Sequence, residues 1–208
     1  MDAMTNLHRL TISIVLTTAA TACLVSCGST GGSRGQTAYL EAFDSHSLPQ
    51  SATYTTDTVS YWDGEGVSGP PSIVIDLGDQ RAYFYKGSTL AGVSSLSTGD
   101  EGHATTTGRF KIIEKDHDHR SNLYGDFVDA AGNVVVPNVD ITKDKPPPGT
   151  RFLGSDMQHF MRFNGGTGMH KGYLPGYAAS HGCVRMPAHM AEIFYNNVSV
   201  GTPVTVQH

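Results

Sequence analysis

The stretch Met169-His-Lys-Gly-Tyr-Leu-Pro-Gly-Tyr-Ala-Ala-Ser-His-Gly-Cys-Val-Arg-Met-Pro187 gathers two histidines, His170 and His181, and one thiol, Cys183, among glycines and small residues. Small residues let a backbone and a substrate approach closely. A thiol becomes a good nucleophile when a neighbour takes its proton or lowers its pKa, and an imidazole titrating near neutrality can do either. Cys183 is therefore the candidate nucleophile and His170 the candidate base. Gly182 removes a side chain just ahead of the sulfur, so the turn can be tight and the Gly182 and Cys183 amides can converge on one spot as oxyanion donors. Pro187 can open a helix, which Ala188, Met190, Ala191, Ile193 and Phe194 continue with an apolar face. On that reading Cys183 lies just ahead of a helix N-terminus. The helix dipole and Arg185, two residues along an extended segment, would both favour thiolate.

The rest of the composition narrows the class. The chain has 208 residues and a formal net charge of -5, with charged residues at 16%, too few for a disordered or nucleic-acid-coating protein. No basic footprint is present, so no nucleic-acid partner is expected. Apolar residues at 38% beside 24 glycines predict many turns and a β-rich fold. Cys23 and Cys27 close an N-terminal apolar run, which leaves Cys183 alone in the globular part with no disulfide partner there.

Residues 1–26 read as a signal peptide. His8 and Arg9 precede an uncharged apolar stretch, Leu10 to Ala22, which is short for a membrane span and ends in small residues. Asp2 sits awkwardly in the basic end, and Met4 offers an alternative start. Leu24-Val25-Ser26-Cys27 resembles a bacterial lipobox, which makes Cys27 the expected lipidated N-terminus and a lipid anchor in a membrane the expected attachment. Several acyl chains give stable anchoring where one is marginal. Residues 27–71 are rich in Gly, Ser and Thr without apolar periodicity and read as a tether, spanning on the order of 35 to 40 Å as a flexible chain. Tyr61-Trp62 interrupts the tether and is expected to dock on the domain surface.

The folded domain is assigned to residues 72–207. Ile73-Val-Ile75 and Ala82-Tyr-Phe-Tyr85 flank the turn Gly78-Asp79-Gln80, a hairpin signal. Further short strands are predicted at Leu90 to Leu96, Arg109 to Ile113, Gly125 to Val128, Val134 to Val136, Phe160 to Phe163 and Pro203 to Val206. Many short strands with one helix after Cys183 predict a mainly β fold, a sandwich or open barrel. His117-Asp118-His119 offers imidazole and carboxylate but no third or fourth ligand in a known pattern, so a structural or solvated role is expected and no metal is assigned. Pro146-Pro147-Pro148 stiffens a loop that is expected to form a rim or lid beside the cleft.

Ser180-His181-Gly182-Cys183-Val184-Arg185 resembles the [Ser/Thr]-His-Gly-Cys-apolar-Arg signature of the L,D-transpeptidase family, the YkuD type, and His170 matches its upstream histidine. The Ser72 to Tyr85 hairpin, Thr105 to Phe110 and Gly201 to Val206 also resemble segments of that domain. Thr106 stands where the family usually has proline, and Lys171-Gly172 follow His170 where Gly-Thr is common. The resemblance implies an L,D-transpeptidase-type sandwich and a peptidoglycan stem-peptide substrate. Cys183 would attack the carbonyl of the third stem residue, a diamino acid, at its bond to D-alanine. His170 would handle the proton, and a backbone carbonyl from Lys171 or Gly172 would orient the imidazole. Ser180, His181, Gly182 and Arg185 would serve the oxyanion or substrate. An amine acceptor would then resolve the thioester, without metal or organic cofactor. Carbapenem-type β-lactams are the expected covalent inhibitors, and a bacterial cell envelope or periplasm is the expected location. Hydrolysis of the same acyl-enzyme, as in an L,D-carboxypeptidase, and a non-catalytic peptidoglycan-binding lipoprotein are the alternatives.

Overall fold

The computed structural model describes residues 57–208. The signal peptide, the lipobox with Cys27 and the first part of the tether lie outside the described residues. Along the chain run β1 (Tyr61–Trp62), β2 (Pro71–Asp76), β3 (Arg81–Lys86), β4 (Thr89–Ser95), β5 (Gly108–Lys111), β6 (Glu114–Asp116) and β7 (Arg120–Val128). They are followed by β8 (Val134–Asp140), β9 (Arg151–Asp156), β10 (Phe160–Asn164), β11 (Thr167–Lys171), β12 (Val184–Met186), α1 (Ala188–Asn197) and β13 (Pro203–Gln207).

Three sheets result. The largest has the order β1-β4-β3-β2-β13-β5, a second β12-β11-β10-β6, and a third β8-β7-β9. The expected β2–β3 hairpin is present, with Ile73 opposite Phe84 and Ile75 opposite Ala82. These four alternate inward and are at most 1% exposed, as period-2 patterning requires of a half-buried sheet. The short strands β6, β9, β11 and β12 were not expected. Each mixes Gly, polar or charged residues with few apolar ones, so none carries a local strand signal of its own.

The core lies between the first two sheets and α1. Ile73, Ile75 and Phe84 of the large sheet pack with Met161, Phe163, Met169, Val184 and Met186 of the second, and with Met190, Ala191 and Phe194 of the helix. Helix α1 begins directly after Pro187, where the sequence places it, and buries Met190, Ala191 and Phe194. It is not adjacent to Cys183: β12 intervenes. A dipole effect fades within the first turn, and an extended strand of this length carries the helix start on the order of 10 Å away.

Tyr61 and Trp62 pair with Val93 and Gly92 as an edge strand on β4. The Trp62 ring meets Phe84 edge-on at 5.2 Å, and Phe84 meets Phe194 in the same way at 5.0 Å. Lys86 sits over the indole. Within residues 57–71, read from sequence as the end of a tether, Tyr61–Trp62 therefore joins the large sheet as an edge strand, and Trp62 packs against the core. Trp62→Ala is expected to lower the unfolding free energy by about 2 kcal/mol or more through lost apolar burial. Urea denaturation of the parent and the variant measures it; an unchanged midpoint would make the strand a passive appendage.

Candidate active site

The second sheet has one face in the core and one face that carries chemistry. Met161, Phe163, Met169, Val184 and Met186 point into the core. By strand alternation, Phe160 and Arg162 of β10, Gly168 and His170 of β11 and Arg185 of β12 occupy the other face. Strands β11 and β12 pair in parallel, Met169 beside Val184 and His170 beside Arg185. One step back, Cys183 comes level with Gly168, whose backbone bonds the sulfur. Thiol and imidazole thus stand on one face as diagonal neighbours on adjacent strands, close enough for their side chains to approach. Gly168 is required there, because a Cβ would fall 2.6 Å from the Phe160 ring.

The turn that presents Cys183 is clamped from several directions. Gly182 has φ +105, a conformation open to glycine and little else. The Gly182 N–H donates to Ser180 Oγ at 3.1 Å, and the Ser180 hydroxyl donates to the Cys183 carbonyl. Thr105 Oγ1 donates to the Gly182 carbonyl at 2.9 Å and accepts from the Gly99 N–H at 2.9 Å. Residues 97–100, continuing from β4, bond alongside: Ser97 N–H to Arg185 O at 3.1 Å, Ser180 N–H to Thr98 O at 2.9 Å and Asp100 N–H to Ser180 O at 2.9 Å. The Thr105 region, singled out by resemblance, therefore acts as a strut behind the nucleophile turn.

Three sequence assignments change with this geometry. Ser180 is fully buried and spends its hydroxyl on the turn, where it holds Cys183 in place. The Gly182 amide, expected to face an oxyanion, is directed at Ser180; of the two amides named, that leaves Cys183. Arg185 is 1% exposed, and its guanidinium donates to Ala179 O at 2.9 Å and Tyr173 O at 3.3 Å. It holds the loop between His170 and Cys183 together from beneath, and its charge reaches the sulfur less strongly than that of Arg162.

The electrostatics also differ from the expected near-neutral imidazole. His170 is 1% exposed, and its Nδ1–H donates to the Lys171 carbonyl at 2.7 Å. That bond fixes the tautomer and leaves Nε2 as the lone pair; Nε2 is buried without a hydrogen-bond partner. Burial is the main cause that lowers the His170 pKa, to about 3, against the raising effect of the Lys171 carbonyl. Burial likewise raises the Cys183 thiol above its ordinary value, opposed by the Gly168 backbone, then Arg162, then Arg185. Both groups are neutral at pH 7 because neither charge is well solvated.

A cleft of about 340 Å³ opens over Cys183 and His181, walled by Ser121 to Tyr124 of β7 and floored by Arg162 and Thr167. His181 lies between Tyr124 (ring centroids 4.7 Å) and His103 (4.3 Å), and His103 Nδ1 bonds Asp100 at 3.0 Å. Burial, and secondarily His103, holds His181 below its usual pKa. Arg162 and Thr167 were not singled out in the sequence because they come from separate strands with no motif between them. His119 stacks on Phe160 at 4.1 Å, bonds Asp116 at 3.0 Å and lines the cleft, whereas His117 is exposed beside Asp118. Glu114, Asp116 and His119 bring ligand atoms within 4.8 Å of one another, but Arg162 already occupies Glu114 at 2.6 Å, so the set does not fit a cation well. Pro146 to Pro148 lie in the β8–β9 connection of the sheet that carries Tyr124.

The profile of the L,D-transpeptidase catalytic domain, the YkuD family, matches residues 70–206. Among solved structures, a cysteine-to-serine mutant of the Enterococcus faecium L,D-transpeptidase shares 23% identity over 67% of this chain and 50% of its own, with a TM-score of 0.50. An L,D-transpeptidase from Mycobacterium smegmatis shares 21% over 67% and 59%, TM-score 0.48, and one from Xylanimonas cellulosilytica 22% over 68% and 62%, TM-score 0.49. The chain thus spans between half and about three fifths of the length of these solved chains. No curated protein matches the sequence. The mainly β architecture is that of the solved L,D-transpeptidases.

A neutral thiol beside a neutral imidazole has a kinetic signature. Alkylation of Cys183 by iodoacetamide should accelerate steadily as pH rises through 8 and reach no plateau below the ordinary thiol pKa of about 8.5, since the raised value delays thiolate formation. A plateau already at pH 6 would instead reveal a preformed thiolate–imidazolium pair.

Proposed function

Because the chain belongs to the L,D-transpeptidase catalytic-domain (YkuD) family, we propose that it is a cysteine acyltransferase that acts on peptidoglycan stem peptides and that Cys183 and His170 carry the reaction. The observation behind this reading is the Nδ1–H bond of His170 to the Lys171 carbonyl, made from the strand parallel to the one that Cys183 leads into. It leaves a buried lone pair on the nucleophile's side of the sheet.

In the acylation half, the carbonyl of the third stem residue enters the cleft over Cys183. As sulfur attacks, its proton passes to His170 Nε2, so charge develops only when the carbonyl is present to take it. The Cys183 amide and His181, at the cleft wall, supply donors to the developing oxyanion. Imidazolium then protonates the departing amine of D-alanine. An acceptor amine, the side chain of another stem's third residue, loses a proton to His170 and takes the acyl group from sulfur, which regenerates the thiol. The low basicity of the buried imidazole suits this cycle: it holds a proton briefly and returns it readily. No step calls for a metal or organic cofactor. Carbapenem-type β-lactams, strained acyl donors, are suitable covalent probes. The N-terminal segment, lipidated at Cys27, would anchor the domain to a membrane of the bacterial cell envelope, with the catalytic cleft on the periplasmic or outer side.

Incubation with a disaccharide tetrapeptide, read by mass spectrometry, should give a cross-linked dimer and free D-alanine. Cys183→Ala should remove the acyl adduct and turnover altogether, and Cys183→Ser should lose at least a thousandfold. His170→Ala should be nearly as severe, whereas His181→Ala should cost on the order of a hundredfold without displacing the pH optimum. Turnover that survives in Cys183→Ala ends the nucleophile assignment, and tripeptide product without dimer would make the enzyme a hydrolase.

Anchoring has its own test. Cys27→Ser should abolish metabolic labelling with a fatty acid and move the protein from the membrane to the soluble envelope fraction. If the parent carries no label and the variant fractionates identically, the lipobox reading is wrong.

A further inference from the structure

The acyl-transfer scheme assigns nothing to Arg162, although this residue lies in the same cleft as the thiol. It stands on the chemical face of β10 opposite Gly168, and Gly168 has no side chain to separate it from Cys183. Its guanidinium is fixed on three sides. Nε donates to Glu114 Oε2 at 2.6 Å, Nη1 donates to the Gly165 carbonyl at 3.1 Å, and Cζ lies 5.1 Å from the centroid of the Phe160 ring beneath it. Among the described residues Nη2 makes no hydrogen bond. A planar cation held in this way presents its remaining edge as a preorganised fork for a carboxylate. Glu114 does not cancel it, because that side chain is 46% exposed and shares its charge with water, while Arg162 is 22% exposed. The positive field of Arg162 still reaches the sulfur.

The spacing suits a particular anion. Gly165 and Gly166 are consecutive, and their carbonyls take Arg162 Nη1 at 3.1 Å and Cys183 Sγ at 3.8 Å. Neighbouring residues lie about 3.8 Å apart, so guanidinium and sulfur are separated by on the order of 10 Å or less. A scissile carbonyl sits about 3 Å from an attacking atom. A carboxylate that ends the chain one residue later lies roughly 4 Å beyond it, and a charge-assisted bond of about 2.8 Å spans the remainder. A donor that continues for a further residue would place a peptide carbonyl there, with no charge.

We propose that Arg162 binds the terminal carboxylate of the departing D-residue, so that the cleft selects donor peptides ending one residue past the scissile bond. This rests on the acyl-transfer reading for the identity of the donor. A stem peptide with a diamino-diacid at its third position carries a second carboxylate, on that residue's side chain, and the experiment separates the two sources.

Binding is measured by calorimetry on full-length protein carrying Cys183→Ala, which removes chemistry. Three tetrapeptides are used: the free acid, its C-terminal amide, and the free acid with the third-residue side-chain carboxylate amidated. The first and third should bind alike and at least tenfold tighter than the C-terminal amide. In Cys183→Ala/Arg162→Gln that preference should vanish, and Arg162→Lys, which keeps a point charge and guards against a folding artefact, should retain part of it. Equal loss of affinity for acid and amide on Arg162→Gln would reduce the residue to a structural role and overturn the proposal. So would a preference that follows the side-chain carboxylate instead. With Cys183 restored, Arg162→Gln should lower kcat/KM for the free acid about a hundredfold and leave the amide unchanged. If the acid preference in binding depends on Arg162 but no thioester forms in the parent, the subsite stands and the acyl-transfer reading fails.

Discussion

The parallel pairing of β11 with β12 is the constraint on which the rest depends. It sets His170 beside Arg185 and Met169 beside Val184, so a slip of one residue would turn one strand over, carrying His170 or Arg185 into the apolar core and Met169 or Val184 out of it. The core is therefore what holds the register. Met161, Met169, Val184 and Met186, buried against α1 and the large sheet, make any other alignment costly, and the reactive face inherits its geometry from that packing.

A parallel pair also needs a long connection, and here the connection carries Cys183. The segment from Gly172 to Gly182 returns to the start of β12 through a loop with almost no apolar packing of its own. Arg185 ties its carbonyls from within, Thr98 and Asp100 pair along it, and Thr105 with Ser180 closes the final turn. Thr105, Ser180 and Arg185 are buried and hydrogen-bond backbone carbonyls here, as buried polar side chains must if they are not to cost stability. Two residues of the signature, Ser180 and Arg185, thus spend their polar groups on the shape of the site.

Burial has a second consequence. Burial of thiol and imidazole disfavours both charges, so both are uncharged at pH 7 while Arg162 supplies a positive field at the sulfur. A thiol held protonated in this way is less open to oxidation and adventitious alkylation than a preformed thiolate. In the proposed reaction proton transfer and attack are then coupled, and the Lys171 carbonyl, by holding Nδ1–H, leaves Nε2 as the site for that transfer.

The sequence by itself determined the family, the mainly β class, the β2–β3 hairpin, the helix after Pro187 and the residues Cys183 and His170 on which the chemistry is proposed to rest. These are local or motif-borne: alternating apolar residues, a proline ahead of an apolar helical face, and a cysteine set in a glycine turn with histidines. What only the tertiary structure decided is how non-local strands meet. Strands β6, β9, β11 and β12 have little intrinsic preference and form because neighbours pair with them. For the same reason the sequence did not reveal that Tyr61-Trp62 docks by pairing with β4 as a strand, that β12 separates Cys183 from the helix dipole, or that Ser180 and the Gly182 amide face each other. Nor could it show that Arg162, 21 residues before Cys183, comes to share its cleft. Ionisation was beyond its reach as well, because the pKa of His170 depends on how much protein surrounds the ring, and burial is a property of packing and not of neighbours along the chain.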